Sequence, residues 1–253
     1  MQFALLDDER RRPEPRLRGV CPLCGQEAVA KCGATVRWHW AHHGRRHCDD
    51  WWENETEWHR TWKEQFPELT REVVHIDPDS GEKHIADVKT SAGLVIEFQH
   101  SAMPPEELHA REAFYGNMIW IVDGRPFKDH FEVSKDFLPH PESKLLQDVV
   151  FFPNLASAYW KRSEAVEGSK LVRMHHSAEI AEEISADYQG HHFFRWRHPR
   201  QVWFQARCPV FLDFGCADLL RLGIYGRSGQ RCVQRIAKRT LVEESGGTYH
   251  SLP

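Results

Sequence analysis

The sequence predicts a mixed α/β protein of the α+β type, with a core of one helix, three strands, a second helix and a final strand. Trp58, Trp62 and Phe66 recur at four-residue steps, which is the spacing of one buried helix face. Three short apolar segments follow, separated by turn residues, and each has the length of a strand. We expect this αβββαβ core at residues 51–138, between an N-terminal Cys/His-rich module at 1–50 and a C-terminal mixed α/β region at 145–253.

Local patterns place the elements of the core in order. The helices are predicted over residues 53–66 and 104–118, and the strands over 70–76, 83–90, 94–100 and 119–122. Residues 77–81 (Asp-Pro-Asp-Ser-Gly) favour a turn between the first two strands. Residues 104–107 (Pro-Pro-Glu-Glu) are typical of a first helical turn, because proline lacks an N–H and acidic side chains interact favourably with the helix dipole.

Composition predicts a cytoplasmic protein without a membrane partner. The 253 residues are 41% hydrophobic and 28% charged, as in ordinary globular proteins. No apolar run approaches the roughly 20 residues of a membrane span, and residues 1–20 contain no stretch typical of a signal peptide. The net charge of −4 argues against a uniformly basic nucleic-acid-binding protein, although local patches matter more than the total.

The N-terminal cysteines and histidines predict a structural zinc site. Four of the seven cysteines lie between residues 21 and 48, and such clustering in a cytoplasmic protein indicates metal rather than disulfides. Five candidate ligands compete for four tetrahedral positions: Cys21, Cys24, His39, His42 and Cys48. Zinc would replace the hydrophobic core that so small a segment lacks.

Two carboxylates on adjacent predicted strands indicate a second metal site. Asp87 lies on the second strand, Glu97 lies on the third, and Gln99 follows on the same face as Glu97. Burying a bare carboxylate is costly, so such groups usually bind a cation or a hydrogen-bond donor. A competing set, Asp79 with Asp87 and Lys89, fits the literal P-D-x7-D-x-K pattern, but Asp79 falls in the hydrophilic turn.

The order of elements and carboxylates resembles the PD-(D/E)xK nuclease core. The surrounding motifs are similar, in the same order, to those of the CoiA-like competence protein family. They are Cys21-Pro22-x-Cys24, Trp38-His39-Trp40-Ala41-His42, Glu55-Thr56-Glu57-Trp58-His59, Ile85-Ala86-Asp87-Val88, Ile96-Glu97-Phe98-Gln99-His100-Ser101, Arg111 with Phe114-Tyr115, and Ile119-Trp120-Ile121. The similarity covers residues 18–124 well and the C-terminal region loosely.

This resemblance implies a metal-dependent DNA nuclease. Asp87 and Glu97 would hold Mg²⁺ or Mn²⁺, which would polarise the scissile phosphate and lower the pKa of an attacking water. Gln99 stands where the family pattern has lysine and can only hydrogen-bond. Glu55 would complete the metal shell from the first helix, and His59, one turn later, would contact phosphate or carry a proton. Glu72 on the first strand is a further candidate.

The C-terminal region predicts a nucleic-acid-binding surface. From residue 191 to 240 there are ten Arg and Lys residues against two acids, with aromatic residues between them. Cations interleaved with aromatics suit a strand of nucleic acid, whereas the alternative is a β-rich domain with a core of aromatics and solvated arginines. The candidate nucleic-acid contacts are Arg195, Arg197, Arg200 and Arg207, together with Arg111 of the core.

The leading hypothesis is therefore a DNA nuclease acting on single-stranded or branched DNA. The alternative is a catalytically inactive DNA-binding adaptor that recruits recombination proteins, a reading that Gln99 favours. A third hypothesis is a hydrolase acting on RNA or nucleotides, because the core pattern does not identify the sugar.

Overall fold

The computed structural model describes residues 1–44, 48–153, 157–226 and 229–251. The chain is mixed α/β with more strand than helix, and it divides into two compact units. Unit 1 comprises Met1–Trp120, Ala206–Cys208 and Val242–Leu252, and unit 2 comprises Ile121–Gln205 and Pro209–Leu241. This division differs from the predicted one, because residues 1–50 share a unit with most of the core.

Unit 1 begins with a five-stranded antiparallel sheet. Its strands are β1 (Ala4–Leu6), β2 (Glu9–Arg11), β3 (Arg18–Val20), β4 (Glu27–Lys31) and β5 (His39–His42), in the order β2-β1-β3-β4-β5. A small buried cluster of this sheet comprises Ala4, Ala28 and Trp40, with Met1, Leu6, Leu17 and Ala30 packed against it. So little buried apolar surface provides little stabilisation to this sheet.

The second part of unit 1 has the predicted order of elements. It contains α1 (Glu57–Lys63), β6 (Arg71–Ile76), β7 (Lys83–Lys89), β8 (Val95–Gln99), α2 (Pro105–Tyr115) and β9 (Met118–Asp123), and β9 continues into unit 2. The strands are neighbours in the order β6-β7-β8-β9. Helix α1 is shorter than predicted because Thr56 caps it, its hydroxyl accepting the backbone N–H of His59 at 3.3 Å.

The apolar stripe of α1 is buried, as its spacing predicts. Trp58, Trp62 and Phe66 are all buried, and Trp62 stacks on Phe98 of β8 with ring centroids 5.7 Å apart. All five residues of β8 are buried, including Glu97. The helix therefore covers one face of the strand that carries the candidate site.

Unit 2 is built mainly from strands. They are β10 (Phe131–Val133), β11 (Leu138–Pro139), β12 (Val149–Phe151), β13 (Ala158–Lys161), β14 (His175–His176), β15 (Tyr188–Trp196), β16 (Val210–Asp213), β17 (Asp218–Tyr225) and β18 (Gln230–Ala237). Its helices are α3 (Ala181–Ala186) and the first residues of α4 (Lys238–Glu244). The larger sheet has the order β10-β15-β18-β17-β16, and β12, β13 and β14 form a smaller one. No helix in the described part of either unit is long and apolar enough to span a membrane.

A fully buried ion pair stabilises unit 2. The ammonium of Lys238 lies 2.8 Å from a carboxylate oxygen of Asp213, and both side chains are 2% exposed. We expect Lys238→Met to lower the free energy of unfolding by about 3–5 kcal/mol, because it leaves a buried carboxylate without its cation. Arg195→Gln, which breaks an exposed pair with Glu132, serves as the control and should cost at most about 1 kcal/mol. Equal losses for the two variants in urea denaturation would contradict this assignment.

Candidate functional site

Four of the five candidate zinc ligands converge in unit 1. The ligand atoms of Cys21, Cys24, His42 and Cys48 all lie within 4.8 Å of one another. The sulfurs of Cys21 and Cys48 are 3.7 Å apart, and the sulfur of Cys24 is 3.4 Å from Nε2 of His42. A tetrahedral zinc site with bonds of about 2.0–2.3 Å places its ligand atoms at about this spacing. These residues could therefore hold a metal ion such as zinc.

His39, the fifth candidate, lies outside this cluster. His39 and His42 are three residues apart on β5, so their side chains leave opposite faces of the strand. Nδ1 of His39 lies 2.9 Å from the backbone carbonyl oxygen of Arg37. Strand alternation thus selects His42, a choice that spacing between cysteines and histidines could not make.

A second group of polar residues surrounds a cavity of about 90 Å³ in unit 1. Apolar residues line it in part, among them Trp52 and Phe98. Six carboxylates of the described residues also line it: Asp49, Glu53, Glu55, Glu72, Asp87 and Glu97. Asp49 and Glu97 are buried and the other four are half-buried, so these acidic groups require cations or hydrogen-bond donors to balance them.

Asp87 and Glu97 meet across the β7–β8 pair, as the sequence predicts. Val88 pairs with Ile96, which brings the two acidic residues to neighbouring positions. Glu97 accepts the backbone N–H of Asp87 at 3.1 Å, and Asp87 accepts the backbone N–H of Phe98 at 3.0 Å. Burial, followed by the charge of Asp87, raises the pKa of Glu97 to about 8.

Lys63 is the central cation among these carboxylates. Its ammonium lies 2.9 Å from Asp87, 3.1 Å from Glu55 and 3.3 Å from Glu72. Burial opposes the charged form, but the three carboxylates hold the pKa of Lys63 well above its ordinary value. Sequence reasoning did not select Lys63, although its four-residue separation from His59, which places both residues on one helix face, was the available signal.

Glu55 and Glu72 are held by the N-terminal segment. The side-chain amide of Gln2 donates to Glu55 at 2.8 Å, and its backbone N–H donates to Glu72 at 2.7 Å. Glu55 precedes α1 rather than lying within it, and it also pairs with Arg60. Glu72 has a φ of 45°, a left-handed conformation that is uncommon outside glycine and is often found at functional sites.

His59 is buried and its two ring nitrogens face protein groups. Nε2 lies 2.6 Å from the carbonyl oxygen of Phe98, and Nδ1 lies 2.9 Å from the hydroxyl of Thr56. Burial lowers the pKa of His59, which favours the neutral ring. These contacts make His59 a structural link between α1 and β8, and its ring also lines the acidic cavity, so its role as a phosphate contact or proton carrier stays a prediction.

Gln99 is fully buried and holds Glu53. Its amide nitrogen donates to the carboxylate of Glu53 and lies 3.2 Å from the hydroxyl of Ser101. Nδ1 of His100 lies 3.0 Å from the other carboxylate oxygen of Glu53. Potential ligand atoms of Glu53, His59 and His100 lie within 4.8 Å of one another, but the contacts of His59 already occupy its nitrogens.

Arg111 has a different role from the predicted one. It is 4% exposed and lies 3.2 Å from Glu97, while also pairing with Glu107 and donating to the carbonyl of Trp51 at 2.8 Å. A guanidinium buried in this way is not accessible to a nucleic acid. It instead fixes the orientation of Glu97.

The other four arginines predicted to contact nucleic acid are divided between the two units. Arg195, Arg197 and Arg200 belong to unit 2, whereas Arg207 belongs to unit 1. Arg195 pairs with Glu132, and the guanidinium of Arg200 lies 4.9 Å from the ring centroid of Phe127.

Most aromatics of the C-terminal region are core residues. Phe193 and Tyr225 belong to the main buried cluster of unit 2, and further buried aromatics are Trp196, Trp203, Phe211 and Phe214. Buried rings cannot stack on bases. This corrects the prediction of an interleaved cation–aromatic surface in favour of the β-rich alternative.

The competing Asp79/Lys89 set does not assemble at the cavity. Asp79 is exposed in the turn before β7, and the ammonium of Lys89 lies 3.1 Å from Nδ1 of His75. Neither residue lines the cavity. Of the two patterns in the sequence, the Asp87/Glu97 pair is the one that converges with other acidic groups.

Comparisons with family models, with curated proteins and with solved structures gave no match to this chain.

Proposed function

We propose that this protein is a divalent-cation-dependent deoxyribonuclease of the PD-(D/E)xK type, similar to the CoiA-like proteins, with the acidic cavity of unit 1 as its active site. The observation that supports this proposal is a cavity of about 90 Å³ lined by six carboxylates, three of which (Glu55, Glu72 and Asp87) also contact the ammonium of Lys63. Carboxylate oxygens gathered in this way are the ligands that divalent cations prefer.

Asp87 and Glu97 would hold Mg²⁺ or Mn²⁺. Carboxylate oxygens are the ligands that these ions prefer, and an ionised carboxylate oxygen that accepts one hydrogen bond keeps a further lone pair. When bound, the ion would act as a Lewis acid and lower the pKa of a bound water. Glu55 and Glu72 line the same cavity and are further candidate ligands.

Lys63 supplies the positive charge that Gln99 cannot. Its ammonium lies 2.9 Å from Asp87, a carboxylate that lines the cavity, so its positive charge would lower the electrostatic cost of a phosphate bound there. Arg111 lies 3.2 Å from Glu97 and would orient it. In this proposal the lysine of the PD-(D/E)xK pattern is contributed by α1 instead of the third strand.

The Cys21/Cys24/His42/Cys48 cluster would hold a structural zinc. All four ligands come from protein, which is typical of a closed structural site. The main chain links this module to the cavity, because the backbone N–H of Trp40 donates to the carbonyl of Met1 at 2.9 Å and Gln2 holds two of the acids. Zinc would thereby support the shape of the active site.

The adaptor hypothesis remains the second candidate. The contacts between Lys63 and the carboxylates also favour it. An ammonium that bridges Asp87, Glu55 and Glu72 balances their charge without a metal ion. Such a core would bind DNA and leave it intact.

A cleavage assay separates the two functions. We expect labelled single-stranded or branched DNA to be cut with Mg²⁺ or Mn²⁺ and left intact without a divalent cation. DNA binding with no cleavage under any of these conditions would instead support the adaptor.

Substitution of Lys63 tests its role within the nuclease. We expect Lys63→Met to lower the cleavage rate at least about 100-fold, since a positioned charge at a developing anion contributes about 3 kcal/mol or more. Lys63→Arg keeps the charge and should retain part of the activity. Faster cleavage by Lys63→Met than by the natural protein would show that the ammonium blocks the site.

A further inference from the structure

Two histidines and an arginine lie together on one face of the larger sheet of unit 2. Strand register places His191 of β15 and Arg221 of β17 on either side of Gln234 of β18, each directly opposite it. Residues paired in this way leave the same face of a sheet, with about 4.7–4.9 Å between neighbouring strands. The ring of His140, which follows β11, meets the ring of His191 edge to face, with centroids 5.3 Å apart.

The imidazole of His191 is buried without a protein partner for one of its nitrogens. His191 is 5% exposed, and its Nδ1 makes no hydrogen bond to the described residues. A neutral imidazole has one N–H and one lone pair, and both are normally satisfied in a protein interior. A partner from outside the protein, such as a bound ion, would satisfy the nitrogen of His191.

The charges that act on His191 are positive. Burial, followed by the charges of His140, Arg221 and His192, lowers the pKa of His191 to about 4. Within the described ranges, no carboxylate pairs with His191 or with Arg221. Groups of like sign repel one another when they are gathered without a counter-charge, so this cluster would be stabilised by an anion.

His140 and Arg221 have donors to offer to such an anion. The backbone N–H of Glu142 donates to Nδ1 of His140 at 3.2 Å, so the proton of the neutral ring lies on Nε2. Arg221 is exposed, and a guanidinium presents pairs of N–H groups that match the oxygens of a phosphate. Asp187, whose carbonyl oxygen accepts the backbone N–H of His140 at 2.8 Å, has its carboxylate engaged by the hydroxyl of Ser143.

We propose that His140, His191 and Arg221 form a phosphate-binding site in unit 2, in which the anion bridges the guanidinium and the two imidazole rings. The phosphate is either a free ion or a group of a DNA strand, since both present the same oxygens. The site lies outside the acidic cavity, and its existence does not depend on the nuclease proposal.

Inorganic phosphate is the probe that tests this site. Binding would be measured by isothermal titration calorimetry and by nuclear magnetic resonance of the histidine rings, at an ionic strength held constant with sodium chloride. The variants are Arg221→Gln and His140→Phe. Arg235→Gln is the matched control, because Arg235 is also an exposed arginine of the sheet but follows Gln234 on β18, so its side chain leaves the opposite face.

We expect the natural protein to bind phosphate saturably, and the pKa of His191 to rise by about 1 or more when the anion is bound. Arg221→Gln should bind phosphate about 10- to 150-fold more weakly, the range for loss of a hydrogen bond to a charged group. His140→Phe should also bind more weakly, whereas Arg235→Gln should match the natural protein. Circular dichroism would verify that all variants fold.

Oligodeoxynucleotides with and without a 5′-phosphate identify the source of the anion. Weaker binding of both strands by Arg221→Gln would indicate a backbone phosphate, and weaker binding of the phosphorylated strand alone would indicate a terminal phosphate. Phosphate binding without any effect on strands would indicate a free ion. Absence of saturable phosphate binding by the natural protein, or equal affinities of Arg221→Gln and Arg235→Gln, would overturn the site. The nuclease proposal fails on a different measurement, the absence of cleavage.

Discussion

Asp87→Asn and Glu97→Gln are each expected to reduce metal-dependent DNA cleavage by about 1000-fold or more. Loss of one metal-binding carboxylate removes several kcal/mol of transition-state stabilisation. Both substitutions nearly preserve side-chain shape, and Lys63 keeps Glu55 and Glu72 as partners when Asp87 is neutral. The rates would be measured with labelled DNA at saturating Mn²⁺.

Asp79→Asn is the matched control for these two variants. Asp79 is part of the competing pattern in the sequence but lies in an exposed turn, so its substitution should leave the cleavage rate unchanged. A large loss in Asp79→Asn, together with full activity in Glu97→Gln, would show that the wrong carboxylates have been assigned. Thermal unfolding of each variant would distinguish a chemical defect from a folding defect.

Cys48→Ser is expected to abolish zinc binding and to unfold the N-terminal module. Structural zinc sites contribute about 10–16 kcal/mol of apparent binding free energy, which is as large as the stability of a whole domain. The small core of Ala4, Ala28 and Trp40 cannot replace that contribution. We expect the zinc content, measured by mass spectrometry, to fall from about one ion per chain to near zero.

Cys32→Ser is the control for the zinc variant. Cys32 lies close in sequence to the four ligands but outside their cluster, so its loss should change neither zinc content nor proteolytic resistance. We further expect Cys48→Ser to impair cleavage, since the module positions Gln2 against Glu55 and Glu72. Retention of zinc by Cys48→Ser, or its loss from Cys32→Ser, would contradict the ligand assignment.

Much of unit 1 could be predicted from local sequence signals. The buried stripe of α1, the alternation along β8 and the turn before β7 are each determined by neighbouring residues, so the order of elements was predictable. The ends of the elements were harder to predict, because the cap at Thr56 shortens α1 through one side-chain hydrogen bond. The convergence of Asp87 and Glu97 followed from their positions on adjacent strands.

The electrostatic partners of the site depend on tertiary structure. Lys63 reaches Asp87 across 24 positions of sequence, Arg111 reaches Glu97 from α2, and Gln2 reaches Glu72 from the first strand region. No local pattern shows such contacts. Exposure was equally unpredictable: Arg111 and Arg195 are the same residue type, yet one is buried against a carboxylate and the other is solvated.

In the C-terminal region, composition alone could not distinguish a nucleic-acid-binding surface from a β-rich core. Arginines alternating with aromatics occur both on nucleic-acid-binding surfaces and on strands with one buried face. In β15 the alternation reflects burial, with Arg195 exposed and the next residue, Trp196, buried on the opposite face. Only tertiary packing decides between these two explanations of the same pattern.

Mn²⁺ binding, followed by electron paramagnetic resonance, tests most directly whether the acidic cavity binds a divalent cation. The zinc-loaded protein would be titrated with Mn²⁺ beside Asp87→Asn, Glu97→Gln and Asp79→Asn. We predict saturable binding in the natural protein and in Asp79→Asn, and its loss in the other two variants. Absence of binding in the natural protein, or equal binding in all four proteins, would contradict this account and leave protein cations such as Lys63 and Arg111 to balance these carboxylates.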